Sequence, residues 1–246
     1  MRNIIVHYHF FKNAGTSFDK ILTESFPCKW NEREFKHVRS PFHAKEVEDW
    51  IISTEDCIAF SSHTVQFPIG EICGVKVIPF FFLRHPIARL RSVYDFEKKQ
   101  EPRLTFGARL AEKSSFAQYI EGCLTFFDDK QCRNYHCHKL VPGDGNDSQI
   151  FIAAVSIIES IECFGIVNRF GESVALFGRV YGDAFPDFIS KEVRENVTAM
   201  KSEEDAIEEM KVELGADLFK SLIDANHLDI RLYEYAVKRF SNLVKT

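Results

Sequence analysis

The feature that most constrains the fold of this chain is an apolar run at residues 4–11 that leads at once into a short loop of small and polar residues. An amphipathic segment follows the loop, which reads Lys12-Asn13-Ala14-Gly15-Thr16-Ser17. A buried strand that passes through a tight loop into a helix leaves backbone N–H groups and the positive end of the helix dipole directed at the loop. The pattern therefore predicts an anion-binding loop.

Two kinds of side chain strengthen this prediction. Lys12 adds a positive charge at the start of the loop, and the hydroxyls of Thr16 and Ser17 can donate hydrogen bonds to phosphate or sulfate oxygens. The lysine precedes the small residues, whereas in a Walker A motif it follows them, so the loop disfavours ATP with magnesium. We expect a phosphorylated cofactor of another kind.

A second strand–turn–helix pattern occupies residues 75–94. Residues 75–83 predict a strand with a bend or irregular pairing at Pro79, and Pro86 suits the first turn of the helix that follows. Arg84 at the strand end and Ser92 two turns along the helix suit a second, separate phosphate. Because the carboxyl ends of parallel strands share one edge of a sheet, the two junctions can bind one ligand.

The rest of the chain alternates helical and strand patterns. We expect helices at residues 17–26, 44–53, 115–127, 150–161, 170–180 and 228–244, an acidic helix that begins at Ser202, short strands at 58–60 and 163–167, and a loop at 101–115. This alternation predicts an α/β fold of three layers, with a central parallel sheet flanked by helices. A length of 246 residues fits a single domain over residues 1–246.

Composition excludes several classes of partner. The net charge is −5, so we expect neither nucleic acid nor an anionic membrane as a partner. No apolar run approaches the ~20 residues of a membrane span, and no secretory pattern precedes the first strand. Seven scattered cysteines favour reduced thiols and a cytoplasmic location. Residues 132–138 offer four potential metal ligands but no C-x-x-C pair, so we predict no metal site there.

The residues at the two junctions resemble those of the sulfotransferase superfamily that uses 3′-phosphoadenosine 5′-phosphosulfate (PAPS), most nearly the carbohydrate type that includes the uronosyl 2-O-sulfotransferases. The family's first motif, His-x-Pro-Lys-Thr-x-Gly-Thr-Ser, is matched by His9, Lys12, Gly15, Thr16 and Ser17, with Phe11 and Asn13 in place of the proline and the first threonine. The second motif, Arg-x-Pro-x-x-Arg-x-x-Ser-x-Tyr, is matched by Arg84, Pro86, Arg89, Ser92 and Tyr94. Segments that begin at Gly165 and Asp229 are similar to the family's closing segments.

The resemblance implies a P-loop nucleotide-kinase-like sulfotransferase fold, with PAPS as the cofactor, 3′,5′-adenosine bisphosphate (PAP) as the product and no metal. It implies that the 5′-phosphosulfate is bound by Lys12, Asn13, Ala14, Gly15, Thr16 and Ser17, and the 3′-phosphate by Arg84 and Ser92. Lys12 would also neutralise the charge that appears on the leaving oxygen. His63 stands where related carbohydrate enzymes have a histidine base, and a histidine can take a proton near neutral pH.

Three further candidates carry weaker signals. Arg89 suits either a ligand contact or a structural ion pair. Arg133 and the loop Asn196-Val197-Thr198 are partial matches to segments that lie near the ligands in the family.

We therefore expect a sulfotransferase that acts on a hydroxyl of a carbohydrate, a glycolipid or another acceptor. The alternatives are a small-molecule kinase and a nucleotide-binding module without catalysis. The identity of the acceptor and the oligomeric state have no signature in the sequence.

Overall fold

The computed structural model describes residues 1–102, 104–126, 130–190 and 202–246. Strands β1 (Arg2–Tyr8), β2 (Trp30–Glu32), β3 (Ala59–Ser62) and β4 (Val75–Phe80) form a parallel sheet in the order β2-β3-β1-β4. Strands β5 (Phe82–Leu83) and β6 (Gly165–Ile166) form a second parallel pair. The predicted α/β class with a parallel sheet flanked by helices is confirmed.

The predicted strand at residues 75–83 is divided in two. It leaves the central sheet at Phe80, and the carbonyl of Phe81 accepts a hydrogen bond of 2.9 Å from the N–H of Gly165. The chain thus transfers its pairing from β1 to β6. Pro79 lies inside β4, opposite Val6, and the chain does not break there. Because β4 pairs with only one strand of its sheet, a residue without an N–H group can occupy this edge.

Helices connect and cover the strands. They are α1 (Gly15–Ser25), α2 (His43–Ser53), α3 (Pro86–Lys99), α4 (Phe106–Lys113), α5 (Phe116–Thr125), α6 (Tyr135–Leu140), α7 (Asp147–Ser160), α8 (Phe170–Tyr181), α9 (Glu203–Leu214), α10 (Ala216–Ala225) and α11 (His227–Lys245). Short 3-10 turns occupy Lys130–Cys132 and Val167–Arg169. None of the helices in the described ranges combines the length and the apolar character that crossing a bilayer requires.

The prediction of a loop at residues 101–115 is wrong, because α4 lies within it. The Thr105 side chain caps this helix by accepting a hydrogen bond from the N–H of Ala108. Gly107 lies against the carboxylate of Glu97 on α3, so closely that a Cβ atom would overlap it. Gly107 therefore permits the close packing of these two helices.

Two apolar clusters fill the interior. The larger one surrounds the sheet and includes Phe18, Phe80 and Phe82, whose rings contact one another. The smaller one lies between α3, α5, α9 and α10 and contains Leu90 and Tyr119. Helix α3 contributes to the smaller cluster and is separated from the end of β5 by two residues, so its first turn lies close to the end of that strand.

Candidate functional site

The loop between β1 and α1 has the backbone shape of an anion-binding loop. Lys12 and Ala14 have φ angles of 61° and 58°, in the left-handed region. No hydrogen bond from the N–H groups of Lys12, Ala14, Gly15 or Thr16 reaches any residue that the structure describes, and Ala14 provides no side-chain cap for α1. Successive N–H groups in such a turn form a concave site for an anion.

The loop rests on helix α6. The N–H of Phe11 donates a hydrogen bond of 2.8 Å to the hydroxyl of Tyr135, and His136 Nε2 lies 2.9 Å from Asn13 Oδ1. The amide nitrogen of Asn13 donates to the carbonyl of Phe11. The Asn13 side chain is therefore directed into the protein, and its backbone N–H donates a hydrogen bond of 3.1 Å to the carbonyl of Phe10. The segment at residues 132–138, which offers potential metal ligands in the sequence, supports the loop between β1 and α1.

Helix α11 fixes α6 in turn. Asp229 accepts hydrogen bonds from the backbone N–H groups of His136 and Cys137, and its Oδ2 atom lies 3.1 Å from His136 Nδ1. These bonds outweigh the effect of burial and keep the pKa of Asp229 below its usual range. Asp229, which the sequence placed in a closing segment, thus acts on the loop through His136.

Arg89 lies below the loop. Its side chain is fully buried, its guanidinium stacks on the Tyr135 ring at 4.0 Å, and it donates to the carbonyl of Gln131. No ion pair of Arg89 is seen among the described residues, and its Nε and Nη1 atoms have no hydrogen-bond partner there, so both roles that the sequence left open remain predictions. Arg133 donates to the carbonyl of Leu124, on α5. The predicted loop Asn196-Val197-Thr198 falls outside the described residues.

His9 is held by a buried carboxylate. Its Nδ1 atom lies 2.8 Å from Asp19 Oδ2, while His7 Nδ1 lies 2.7 Å from Asp19 Oδ1 and the Ser61 hydroxyl donates to the same carboxylate. Burial alone would raise the pKa of Asp19, but these partners hold it well below its usual range. The His9 ring lies so close to Gly15 that a Cβ atom there would overlap it.

His63 follows β3 and lies beside His9. The two rings stack with centroids 3.8 Å apart. His63 Nδ1 is 2.7 Å from Glu34 Oε1, and 39% of the His63 side chain is exposed. Its Nε2 atom has no hydrogen-bond partner in the part of the chain that the structure describes. Burial alone would raise the pKa of Glu34, but hydrogen bonds from His63 and Thr64 lower it to about 2.

The second junction meets the first through Arg84. This residue follows β5, and its guanidinium donates a hydrogen bond of 3.5 Å to the carbonyl of Lys12. The Lys12 ammonium lies 4.7 Å from the centre of the Phe96 ring on α3. Burial and the neighbouring Arg84 charge lower the pKa of Lys12, and burial lowers the pKa of Arg84. The two positive groups that the sequence predicted are thus neighbours.

A cavity of about 420 Å³ extends from Arg84 between α3 and α9. Its lining comprises Arg84, Ala88, Arg91 and Asp95 on one side and Ala206, Glu209, Met210 and Glu213 on the other. This volume lies within the usual range of ligand sites. Arg91 forms an ion pair with Glu213 across the cavity. Ser92, predicted to bind the 3′-phosphate, is partly exposed on α3 and is not among the described residues that line the cavity.

Among the described residues, two groups of side chains are compact enough to share a metal ion. One comprises His7, His9 and Asp19, and the other comprises Glu32, Glu34 and His63. In both groups the donor atoms contact one another, Asp19 with the two histidines and Glu34 with His63. The geometry therefore fits two hydrogen-bonded networks beside the loop.

Sequence reasoning missed several residues of this site. Glu34, Tyr135 and His136 belong to no motif, and their partners lie far away in the sequence. The residues that the sequence did identify have a local pattern: Arg84 directly follows a strand, and Lys12 follows one after three residues.

Comparison with known proteins identifies a relative of this chain. The chain is 32% identical over 248 aligned residues to a protein of Archaeoglobus fulgidus that is described as uncharacterized. The alignment covers 97% of this chain and 98% of that protein. No protein-family model matches the chain. The chain belongs to the same family as this archaeal protein.

Proposed function

We propose that this chain is a sulfotransferase that moves the sulfuryl group of PAPS to a hydroxyl of a carbohydrate or glycolipid acceptor. The observation that carries the proposal is the loop between β1 and α1, where N–H groups that have no partner among the described residues lie beside Lys12 and Arg84. His63 lies at the same sheet edge, stacked on His9, the residue that follows β1. Together these groups supply an anion site, two positive charges and a base.

The donor would bind across both junctions. The N–H groups of Lys12, Ala14, Gly15 and Thr16 suit the 5′-phosphosulfate, and Arg84 suits the 3′-phosphate as a charge-assisted donor. Ser92 would complete the 3′-phosphate site from α3. The cavity beside Arg84 has room for part of the nucleoside.

The reaction requires a base and a stabilised leaving group. The acceptor oxygen attacks sulfur, the bond from sulfur to the bridging oxygen breaks, and its electron pair remains on the phosphate of PAP. Lys12 and the loop N–H groups would stabilise that developing charge. His63 Nε2 would take the hydroxyl proton.

The direct test is sulfate transfer from labelled PAPS to a panel of glycans, glycolipids and phenols. We expect labelled product with the wild-type chain and a loss of roughly 10²–10⁴-fold in turnover for His63→Ala, with PAP affinity nearly unchanged. Normal turnover in His63→Ala would show that His63 is not the base of the reaction.

Thermal shift separates the alternatives, since a ligand stabilises only the state that binds it. PAP should raise the melting temperature, and ATP with magnesium should not. Stabilisation by ATP with magnesium would favour a kinase. Stabilisation by PAP without transfer to any acceptor would favour a nucleotide-binding module.

A further inference from the structure

We infer that Glu34 is a positioning residue for His63, whose ring it orients so that Nε2 presents its lone pair to the acceptor. The catalytic consequence rests on the proposed function. The orientation and tautomer of His63 are properties of the chain itself and can be measured without any substrate.

Glu34 holds His63 at two points. Its Oε1 atom lies 2.7 Å from His63 Nδ1 and accepts a hydrogen bond of 3.0 Å from the His63 backbone N–H. Its Oε2 atom accepts a hydrogen bond of 2.8 Å from the Thr64 hydroxyl. The carboxylate is therefore itself fixed, and it ties the imidazole ring to its own backbone.

This contact determines the tautomer. An ionised carboxylate only accepts hydrogen bonds, and the low pKa of Glu34, about 2, keeps it ionised at neutral pH. His63 Nδ1 must then carry the proton. In neutral His63 the lone pair is left on Nε2, the nitrogen without a partner among the described residues.

The plane of the ring is fixed from the other side. His9 stacks on His63 with an interplanar angle of 26°, and His9 is held by Asp19 on α1. The ring therefore lies between a carboxylate at its Nδ1 edge and an imidazole on its face. Such supporting contacts are what hold a catalytic group in productive geometry.

Four neighbouring groups set the charge around His63. Glu34 and Glu32 belong to the segment at β2, and His9 follows β1. Lys139 on α6 donates a hydrogen bond of 2.9 Å to the His63 carbonyl. Within the described ranges only Glu34 hydrogen-bonds to the ring itself, so comparing Glu34→Ala with Glu32→Ala separates the effect of the hydrogen bond from that of charge.

The first arm of the test is ¹⁵N NMR of the His63 ring at a pH where it is neutral, with its signals assigned by their absence in His63→Gln. We expect the proton on Nδ1 in the wild type and in Glu32→Ala, and a shift of the proton to Nε2 in Glu34→Ala. Glu34→Gln keeps an oxygen acceptor and should keep the wild-type tautomer. An unchanged tautomer in Glu34→Ala would overturn the inference.

The second arm measures transfer from labelled PAPS. Glu34→Ala should lower turnover by roughly 10- to 100-fold with little change in PAP affinity, because the base remains but loses its orientation. Glu34→Gln should recover most of that loss, and Glu32→Ala should stay near the wild type. An equal loss in Glu32→Ala and Glu34→Ala would replace positioning by a general charge effect and overturn the inference. If the tautomers are as predicted but the wild type transfers no sulfate to any acceptor, the positioning is supported and only the proposed function is overturned.

Discussion

At the scale of single residues, position 15 requires glycine, because a Cβ atom there would overlap the His9 ring. His9 cannot move away easily, since Asp19 holds its Nδ1 atom. We expect Gly15→Ala to lower the free energy of unfolding by roughly 1–3 kcal/mol, as overpacking does, and to weaken PAP binding. Urea unfolding and calorimetric titration measure the two effects.

Gly171→Ala is the matched control for that substitution. A Cβ atom at Gly171 would meet no atom within 4 Å, and the residue lies in α8, where alanine is the better helix former. We expect no loss of stability and normal PAP binding. Equal behaviour of the two variants would contradict the role assigned to Gly15.

Arg84 tests the second anion site. Arg84→Ala should weaken PAP binding by about 1.5–3 kcal/mol, the scale of a lost charge-assisted contact, and should barely change binding of adenosine 5′-monophosphate, which lacks the 3′-phosphate. Arg91→Ala is a close comparison. Arg91 lines the same cavity but is engaged by Glu213, so its loss should be smaller. Similar losses for both nucleotides in Arg84→Ala would show that Arg84 supports the fold.

The residues that the sequence predicted and those that it missed differ in the sequence distance to their partners. Lys12 and Arg84 lie close behind strands, Arg84 directly and Lys12 after three residues, so local patterns identify them. Glu34 meets His63 across 29 positions, and Phe11 meets Tyr135 across 124. No local pattern contains such a pair, because the contact exists only once the sheet has brought distant segments together.

At the scale of elements, α6 supports the loop between β1 and α1, and Tyr135→Phe tests this role. The substitution keeps the ring beneath Arg89 but leaves the N–H of Phe11 without its acceptor. We expect a loss of roughly 1–3 kcal/mol in stability and weaker PAP binding. Tyr235→Phe, which removes an exposed hydroxyl bonded to Glu159, should change neither by much. Unchanged PAP binding in Tyr135→Phe would show that the contact with α6 is not needed for binding at the loop.

Elements were predicted best where caps mark their ends. The acidic helix expected from Ser202 begins there, with the Ser202 hydroxyl accepting the N–H of Asp205. The strand expected at residues 4–11 ends at Tyr8, because the chain turns into the loop while still apolar. Helix α6 was not predicted, because it has six residues and no capping side chain that would indicate it in the sequence. Its position depends on Asp229, far along the chain.

At the scale of the whole molecule, buried histidines make stability depend on pH. Burial lowers the pKa of His9, His43 and His85, in His85 to about 4. The unfolded chain, where histidine titrates near 6.5, therefore binds more protons than the folded chain between about pH 4 and 6.5. Their contribution to stability is fully present above that window and is lost as the pH falls through it.

The lowered pKa values of Asp19 and Glu34 act at still lower pH, because their contribution is present above the unfolded value near 4 and is lost below it.

Because of the buried histidines, urea unfolding between about pH 7.5 and 5 should show decreasing stability, with each buried histidine adding up to about 1.4 kcal/mol per pH unit. His85→Gln should flatten the decrease, whereas replacing the exposed His37 should not. A pH-independent stability in the wild type would contradict this account.

The route of support from Asp229 through His136 to Asn13 also has a consequence for the newly made protein. The loop between β1 and α1 is synthesised more than two hundred residues before the side chain that holds its support in place. Until that side chain is added, the support of the loop is incomplete. A nascent chain that stops short of residue 229 should therefore fail to capture PAP, and the ability to bind nucleotide should appear only after residue 229 has been added.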